Sequence, residues 1–222
     1  MQPTTNLYPH ILGGVYGQAL GDAWAMPAHF HPDQTWTYYN GWLDRFWPAS
    51  PDHPLHAGFR AGQITDDTQQ ALALAEAIMA APQLTVEEVA RAMVAWYEQG
   101  EGPGAAYISH NTHRAMAALK SGSDPHLTGL RGDTDGGAKR VSPIGLIHPG
   151  DPDAAVADAI IACTPLTLPM WPYRALVRWR RRSLRPWFPK PPWKRLSMWP
   201  CAPPRWDGST GWPGGARRWA AK

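Results

Sequence analysis

The chain has 222 residues, two cysteines and a formal net charge of +3, so one compact core is possible and no disulfide framework exists, which indicates a cytoplasmic protein. From residue 163 onward there are thirteen Lys or Arg residues and one acid, Asp207, which leaves eight basic and seventeen acidic residues before them. This acidic first part does not favour a nucleic-acid partner, and no signal peptide or membrane span is predicted because Asp22 interrupts the only apolar run near the N-terminus.

The first predicted element is a helix from Tyr8 to Ala28. Its apolar residues lie at helical spacing and four glycines are interleaved with them. Because small residues let a neighbouring backbone come close, we predict a buried central helix. Asp22, in the segment Gly17–Ala23, then requires a partner if it is buried, and a local cap or salt bridge explains it equally well.

Residues 30–61 are rich in aromatic residues, Pro and His, and they are predicted to form one long irregular loop. The aromatic side chains could stack on an adenine ring, but packing against the body of the protein is favoured. They are Tyr38, Tyr39, Trp42 and Trp47. His53 and His56 have metal-like spacing but no companions, so we interpret them as surface residues.

The segment Gly62–Thr68 reads Gly-Gln-Ile-Thr-Asp-Asp-Thr and leads directly into an Ala- and Leu-rich run that predicts a helix. Gly62 permits a sharp turn and Thr65 is a natural N-cap. Acids in a first helical turn can simply complement the helix dipole. Two adjacent carboxylates, Asp66 and Asp67, nevertheless repel each other unless a cation or a basic group lies between them, and such oxygen ligands suit Mg²⁺, Mn²⁺ or Ca²⁺.

Two further helices are predicted downstream. Thr85 caps the first, with Glu87 and Glu88 in its opening turn. The second is predicted from Ala105 to Lys120, directly after the glycine-rich loop Gly100–Gly104, and a loop of this kind at a helix start is a possible anion site. His110 and His113 lie one turn apart on this helix without a third ligand, so zinc is not favoured.

The segment Thr134–Leu146 contains a second group of glycines, followed by Arg140, Pro143 and Gly145. A last helix follows Asp151 and ends near Cys163.

Residues 164–222 hold eight of the thirteen Trp and eleven of the twenty-four Pro residues. Regular Pro prevents helices and strands here, so we predict a non-globular tail. Binding to nucleic acid or to a membrane surface is one interpretation of the Arg and Trp residues. The composition favours another, a shifted reading frame of a GC-rich gene, because the alternative frame from Pro169 to Arg182 can encode an Ala-rich helix.

Taken together, three stretches resemble the ADP-ribosylglycohydrolase family, which includes the enzyme that reactivates dinitrogenase reductase. They are Gly17–Ala23, Gly62–Ala77 and Thr134–Leu146, and the loop Gly102–Gly104 with Ala117–Gly122 gives further support. Lys139 stands where the resembled segment usually has Met, and His29 stands where a Glu is typical. Gly132–Asp135 offers a competing alignment to a second metal motif, which otherwise has no counterpart after residue 163.

The resemblance implies an all-α domain over residues 1–163, incomplete at its C-terminal end. It implies a hydrolase that uses two Mg²⁺ or Mn²⁺ ions to cleave ADP-ribose from a protein side chain or a related small conjugate. Loss of the second ligand set could make the chain inactive, and a non-catalytic ADP-ribose-binding or structural protein is the alternative.

The resemblance also assigns roles to individual residues of this sequence. Thr65, Asp66 and Asp67 are implied metal ligands, and Asp66, Asp67 and His29 are the implied catalytic residues. The implied substrate-binding residues are Asp22, Gly102, Gly104, Asp135, Gly136, Gly137 and Arg140.

Overall fold

A computed structural model describes residues 6–28, 31–81, 83–100, 102 and 105–167 of the chain. Two predicted site residues, His29 and Gly104, lie outside the described residues, as does nearly all of the predicted tail, residues 168–222. The roles of those two residues and the character of the tail therefore stay predictions.

The described residues form helices and no strands, which confirms the predicted all-α class. In chain order the helices are α1 (Tyr8–Ala25), α2 (Pro32–Tyr39), α3 (Asp66–Ala80), α4 (Val86–Gln99), α5 (His110–Lys120), α6 (Pro125–Thr128), α7 (Gly136–Arg140), α8 (Ser142–Ile147) and α9 (Pro152–Cys163), with a 3₁₀ turn at Gly129–Arg131 after α6. None of the described helices is long and apolar enough to cross a membrane.

The predicted helix starts are set by side-chain caps. The hydroxyl of Thr65 accepts a hydrogen bond from the backbone N–H of Asp67 at the start of α3. Thr85 and Glu88 form a reciprocal capping box at the start of α4, and Asp151 caps α9. Each cap satisfies backbone N–H groups that have no partner inside the helix. These boundaries are therefore local properties of the sequence.

Helix α3 lies at the centre of the described fold, in contact with α1, α4, α7 and α8. Its apolar side packs into a core formed with α4, α5, α8 and α9. The most buried members of that core include Leu74, Val89, Met93, Met116 and Ile144. Burial of these side chains fixes α3 against α4, α5 and α8.

The expectation that the first helix is buried and central is wrong for the described part of the chain. Only Ala23 of α1 is buried, whereas Tyr16 is 60% and Leu20 is 53% exposed. Gly13, Gly17 and Gly21 have open space where a side chain would lie. The apolar composition of α1 therefore does not reflect burial by its neighbours here.

Two predicted boundaries also need correction. The predicted loop over residues 30–61 contains helix α2, which Pro32 begins and which ends where Asn40 and Gly41 adopt positive φ angles of 52° and 78°. Helix α5 begins at His110 with Ser109 as its cap, and not at Ala105. The glycine-rich loop is therefore not at the start of α5, and the helix-start argument for an anion site there fails.

The prediction that His53 and His56 are surface residues is wrong. His53 is 4% exposed, and its Nδ1 atom accepts hydrogen bonds from the backbone N–H groups of Leu55 and His56. Its other nitrogen therefore carries the proton and donates to the backbone oxygen of Ala28. These two rings tie the loop after α2 to the end of α1.

The chain continues in packed contact beyond α9. Leu166 and Thr167 are each 1% exposed, and the hydroxyl of Thr128 donates a hydrogen bond to the backbone oxygen of Pro165 at 2.7 Å. Gly129 and Gly132 allow this close approach, because a side chain at either position would collide with residues 164–167.

Candidate functional site

The candidate site lies at the N-terminus of α3, where Asp66 and Asp67 form the first turn. Gly62, just before it, has a φ angle of 79°, the left-handed conformation that glycine adopts without steric cost. Asp66 is buried and Asp67 is partly exposed. The two adjacent acids therefore differ in environment, and only Asp67 is substantially open to solvent.

Asp22 of α1 binds this helix start through both of its carboxylate oxygens. The hydroxyl and the backbone N–H of Thr65 each donate to it at 2.8 Å. The hydroxyl of Thr68 donates at 2.6 Å and its backbone N–H at 3.2 Å. Asp22 thus caps α3 from a neighbouring helix, so the alternative of a local cap or salt bridge is wrong.

Asp66 is linked to two buried side chains by a short chain of hydrogen bonds. The amide of Gln70 donates to its Oδ2 atom at 2.8 Å, and the guanidinium of Arg140 donates to the Gln70 oxygen at 2.8 Å. Burial raises the pKa of Asp66 to about 6, and this outweighs the opposing effect of the Lys139 ammonium. Asp66 therefore exchanges a proton much closer to neutral pH than an ordinary aspartate does.

Lys139 of α7 is the cation next to the acidic pair. Its Nζ atom forms an ion pair with Asp67 and lies 3.8 Å from Oδ2 of Asp66. Burial lowers the pKa of Lys139, but the two carboxylates outweigh this and leave it raised. The amide of Gln18 on α1 donates to the backbone oxygen of Lys139 at 2.7 Å and to that of Asp67 at 3.1 Å. Gln18 therefore fixes the position of both residues.

The oxygen donors at the start of α3 fit a divalent cation in kind. Asp66 and Asp67 supply hard carboxylate oxygens, and the ammonium between them shows that this position holds positive charge. This set of possible metal ligands is small, however. In the part of the chain that the structure describes, no three His, Cys, Asp or Glu side chains come together as a metal cluster.

Two of the predicted substrate-binding residues, Gly136 and Gly137, are closely packed in α7. A side chain at Gly137 would come within 2.8 Å of the Cys163 sulfur, and Gly136 lies against Thr134, Thr167 and Arg140. Asp135, just before α7, is exposed. The two glycines therefore serve close packing between α7 and the end of α9.

Arg140 is 1% exposed and contacts the acidic site only through Gln70. Its Nε and Nη2 atoms have no hydrogen-bond partner among the described residues. Burial lowers the pKa of this guanidinium. A buried charge with unsatisfied donors is costly, so the position of Arg140 is imposed by the surrounding fold.

Gly102 is also required for close packing. A side chain there would collide with the backbone oxygen and ring of Tyr97. Tyr97 in turn contacts Nδ1 of His113 at 2.7 Å, and Nε2 of His113 lies 3.2 Å from the backbone oxygen of Ala105. Both ring nitrogens of His113 therefore contact groups of the fold itself.

The loop after α2 lies beside the site. Burial lowers the pKa of His56, while its contact at 2.8 Å with the backbone oxygen of Met26 and the charges of Asp22 and Asp67 act in the opposite direction. Among the aromatic residues of this region, Tyr39 is buried with its hydroxyl on the backbone oxygen of Pro48, whereas Trp42 is 74% exposed. Packing against the protein, the favoured interpretation of these aromatic residues, thus applies to Tyr39 and not to Trp42.

Sequence reasoning missed four residues that build the site. They are Gln18, Thr68, Gln70 and Lys139 in its role as a cation. Thr68 and Gln70 face the site one turn into α3, and helical spacing from Thr65 and Asp66 could have indicated them. Nothing in the local sequence could have indicated Gln18 and Lys139, because their contacts are made across the fold.

Comparison with known proteins gives one family and two relatives. A family model described as ADP-ribosylglycohydrolase matches residues 3–168. An uncharacterized protein of Escherichia coli (strain K12), YegU, is 32% identical over 157 residues, which cover 70% of this chain and 47% of the relative. An uncharacterized protein of Archaeoglobus fulgidus is 31% identical over 134 residues, 60% of this chain and 41% of the relative. The chain spans about half the length of these relatives.

Proposed function

The chain belongs to the ADP-ribosylglycohydrolase family, and from this premise we propose that it acts on the glycosidic bond between ADP-ribose and a protein side chain or a related small acceptor. We propose Mg²⁺ or Mn²⁺ as the metal of this reaction, with Thr65, Asp66 and Asp67 as its ligands. The observation that carries the proposal is the acidic pair at the start of α3, which α1 and α7 hold around one positive charge.

The two acids suit different tasks. Asp67 is partly exposed and can reach a bound ligand, whereas Asp66 is buried and carries a pKa of about 6. In the metal-free site a carboxyl group with such a pKa can hold or release a proton near neutral pH, as general acid–base catalysis requires. A bound divalent ion would supply positive charge that orients water and the ribose hydroxyls. His29 remains our third proposed catalytic residue, on the sequence argument alone.

The proposed substrate-binding residues divide into two groups by their contacts. Asp22 caps α3 and the glycines Gly102, Gly136 and Gly137 permit close packing, so these four would shape the site indirectly. Arg140 would act through Gln70 and Asp66. Asp135 is exposed beside α7 and could contact substrate directly. Gly104 keeps its proposed role from the sequence.

The test is release of free ADP-ribose. The purified chain is incubated with ADP-ribosylated arginine peptide and ADP-ribosylated serine peptide, with Mn²⁺, with Mg²⁺ or with EDTA, and the products are separated by chromatography. We expect metal-dependent release that the Asp67→Asn variant loses. Glu76→Ala, an exposed acid on the same helix, is the matched control and should keep its activity.

A non-catalytic ADP-ribose-binding or structural protein is the alternative function. Lys139 beside the acidic pair and the half-length match to the relatives favour it. Calorimetry with ADP-ribose separates the two: binding without release from either peptide supports the alternative. We propose a cytoplasmic location for either function, on the cysteine argument given above.

A further inference from the structure

One of the two negative charges of the acidic pair is offset by a residue of the chain itself. Lys139 reaches both carboxylates, as an ion pair with Asp67 and at 3.8 Å from Oδ2 of Asp66. Asp66 is only 3% and Lys139 30% exposed at the side chain. The Lys139 side chain as a whole is therefore mostly withdrawn from solvent, which makes its attraction to the two acids stronger than that of a fully exposed pair.

The backbone around Lys139 fixes this arrangement. Its own carbonyl is bonded to Gln18, which also binds the carbonyl of Asp67 and accepts a hydrogen bond from Ser142. The ammonium is thus carried on a short helix anchored to α1 and α3. Asp66 also accepts a hydrogen bond from Gln70 at Oδ2, the same oxygen that lies 3.8 Å from the Lys139 ammonium.

We propose that the Lys139 ammonium is the resident cation of the Asp66–Asp67 site, and that a divalent ion binds there only by displacing it. A divalent ion between these carboxylates would lie close to the ammonium and would be repelled by it. The affinity of the chain for Mg²⁺ or Mn²⁺ is then set by Lys139 as much as by the acids. This inference rests on the proposed role of Asp66 and Asp67 as ligands.

Substitution of Lys139 by methionine is the direct test, because methionine has a similar length and no charge. Mn²⁺ binding is measured at pH 7.5 by calorimetry, and thermal unfolding is followed in EDTA and in Mn²⁺. We expect K139M to bind Mn²⁺ at least tenfold more tightly than the wild type. We also expect K139M to unfold at a lower temperature than the wild type in EDTA and to be rescued by Mn²⁺, which should scarcely move the wild type.

Two control variants test whether the positive charge at position 139 sets the Mn²⁺ affinity and whether Mn²⁺ binds at Asp67. Lys139→Arg keeps a cation and should remain as insensitive to Mn²⁺ as the wild type. The double variant D67N/K139M should lose the Mn²⁺ affinity gained by K139M. Circular dichroism establishes that each variant is folded.

Equal Mn²⁺ affinity of the wild type and K139M would overturn the inference, and so would a folded K139M that binds no Mn²⁺. ADP-ribose binding and release, measured on the same samples, report separately on the proposed function. A wild type that hydrolyses its substrate with tightly bound Mn²⁺ therefore refutes the role of Lys139 and leaves the proposed function intact.

Discussion

Helices α1 and α3 contact each other but are held in place in different ways. Seven residues of α3 are buried, whereas α1 is longer and buries only Ala23. Helix α3 is fixed by an apolar core, and α1 is fixed to it by polar groups, Asp22 and Gln18. The apolar content of a helix therefore does not determine its burial. The neighbours that the fold supplies determine it.

The largest expected loss of stability comes from a core substitution in α3. Leu74 of α3 is fully buried in the core, so Leu74→Ala should leave a cavity and reduce the free energy of unfolding by about 2–5 kcal/mol. The measurement is urea denaturation followed by circular dichroism. A loss below about 1 kcal/mol would show that the core under α3 is loosely packed and would remove the contrast with α1.

The second prediction concerns the pH dependence of the α3 start. The pKa of Asp66 is about 6 in the fold against an ordinary 3.8, so the folded protein binds a proton more tightly than the unfolded chain. The stabilisation is fully present below pH 3.8 and is lost as the pH rises through 6, a loss of about 3 kcal/mol. Denaturation in EDTA from pH 3.5 to 7 measures it. Asp66→Asn should lack this component, and an unchanged pH slope would contradict the assignment.

The third prediction tests the polar junction between the helices. Asp22 accepts hydrogen bonds from Thr65 and Thr68, and Asp22→Ala would leave these donors unpaired. We expect a loss of about 2 kcal/mol, because the loss of four bonds is partly offset by relief of repulsion from Asp66 and Asp67. Equilibrium denaturation at pH 7 checks it against Glu76→Ala, which should have almost no effect. Equal stability of the two variants would mean that Asp22 does not anchor α1.

The smallest effect is expected on the outer face of α1. Leu20 is 53% exposed, so Leu20→Ala makes the same chemical change as Leu74→Ala but should alter the free energy of unfolding by no more than about 0.5 kcal/mol. The two variants are compared in the same denaturation series. A cost near that of Leu74→Ala would reveal that α1 is covered in solution by something other than the described residues.

Part of the site could be predicted from the sequence because its signals are local. The turn at Gly62, the cap at Thr65 and the adjacent acids all depend on residues within one helical turn. The helix after Gly102 begins five residues later than predicted, because a glycine indicates an interruption but not where the next helix begins. The prediction of His53 as a surface residue is wrong because its backbone partners cannot be inferred from spacing.

By itself the sequence determined the helical class, most helix starts and the acidic pair, since caps and helical spacing act between residues that are close along the chain. Only the tertiary structure decided that Asp22 caps α3, that Lys139 lies beside Asp66 and Asp67, and that α1 is largely exposed. Those properties arise from atoms that are distant in sequence, and their burial and charge depend on which helices the fold brings together.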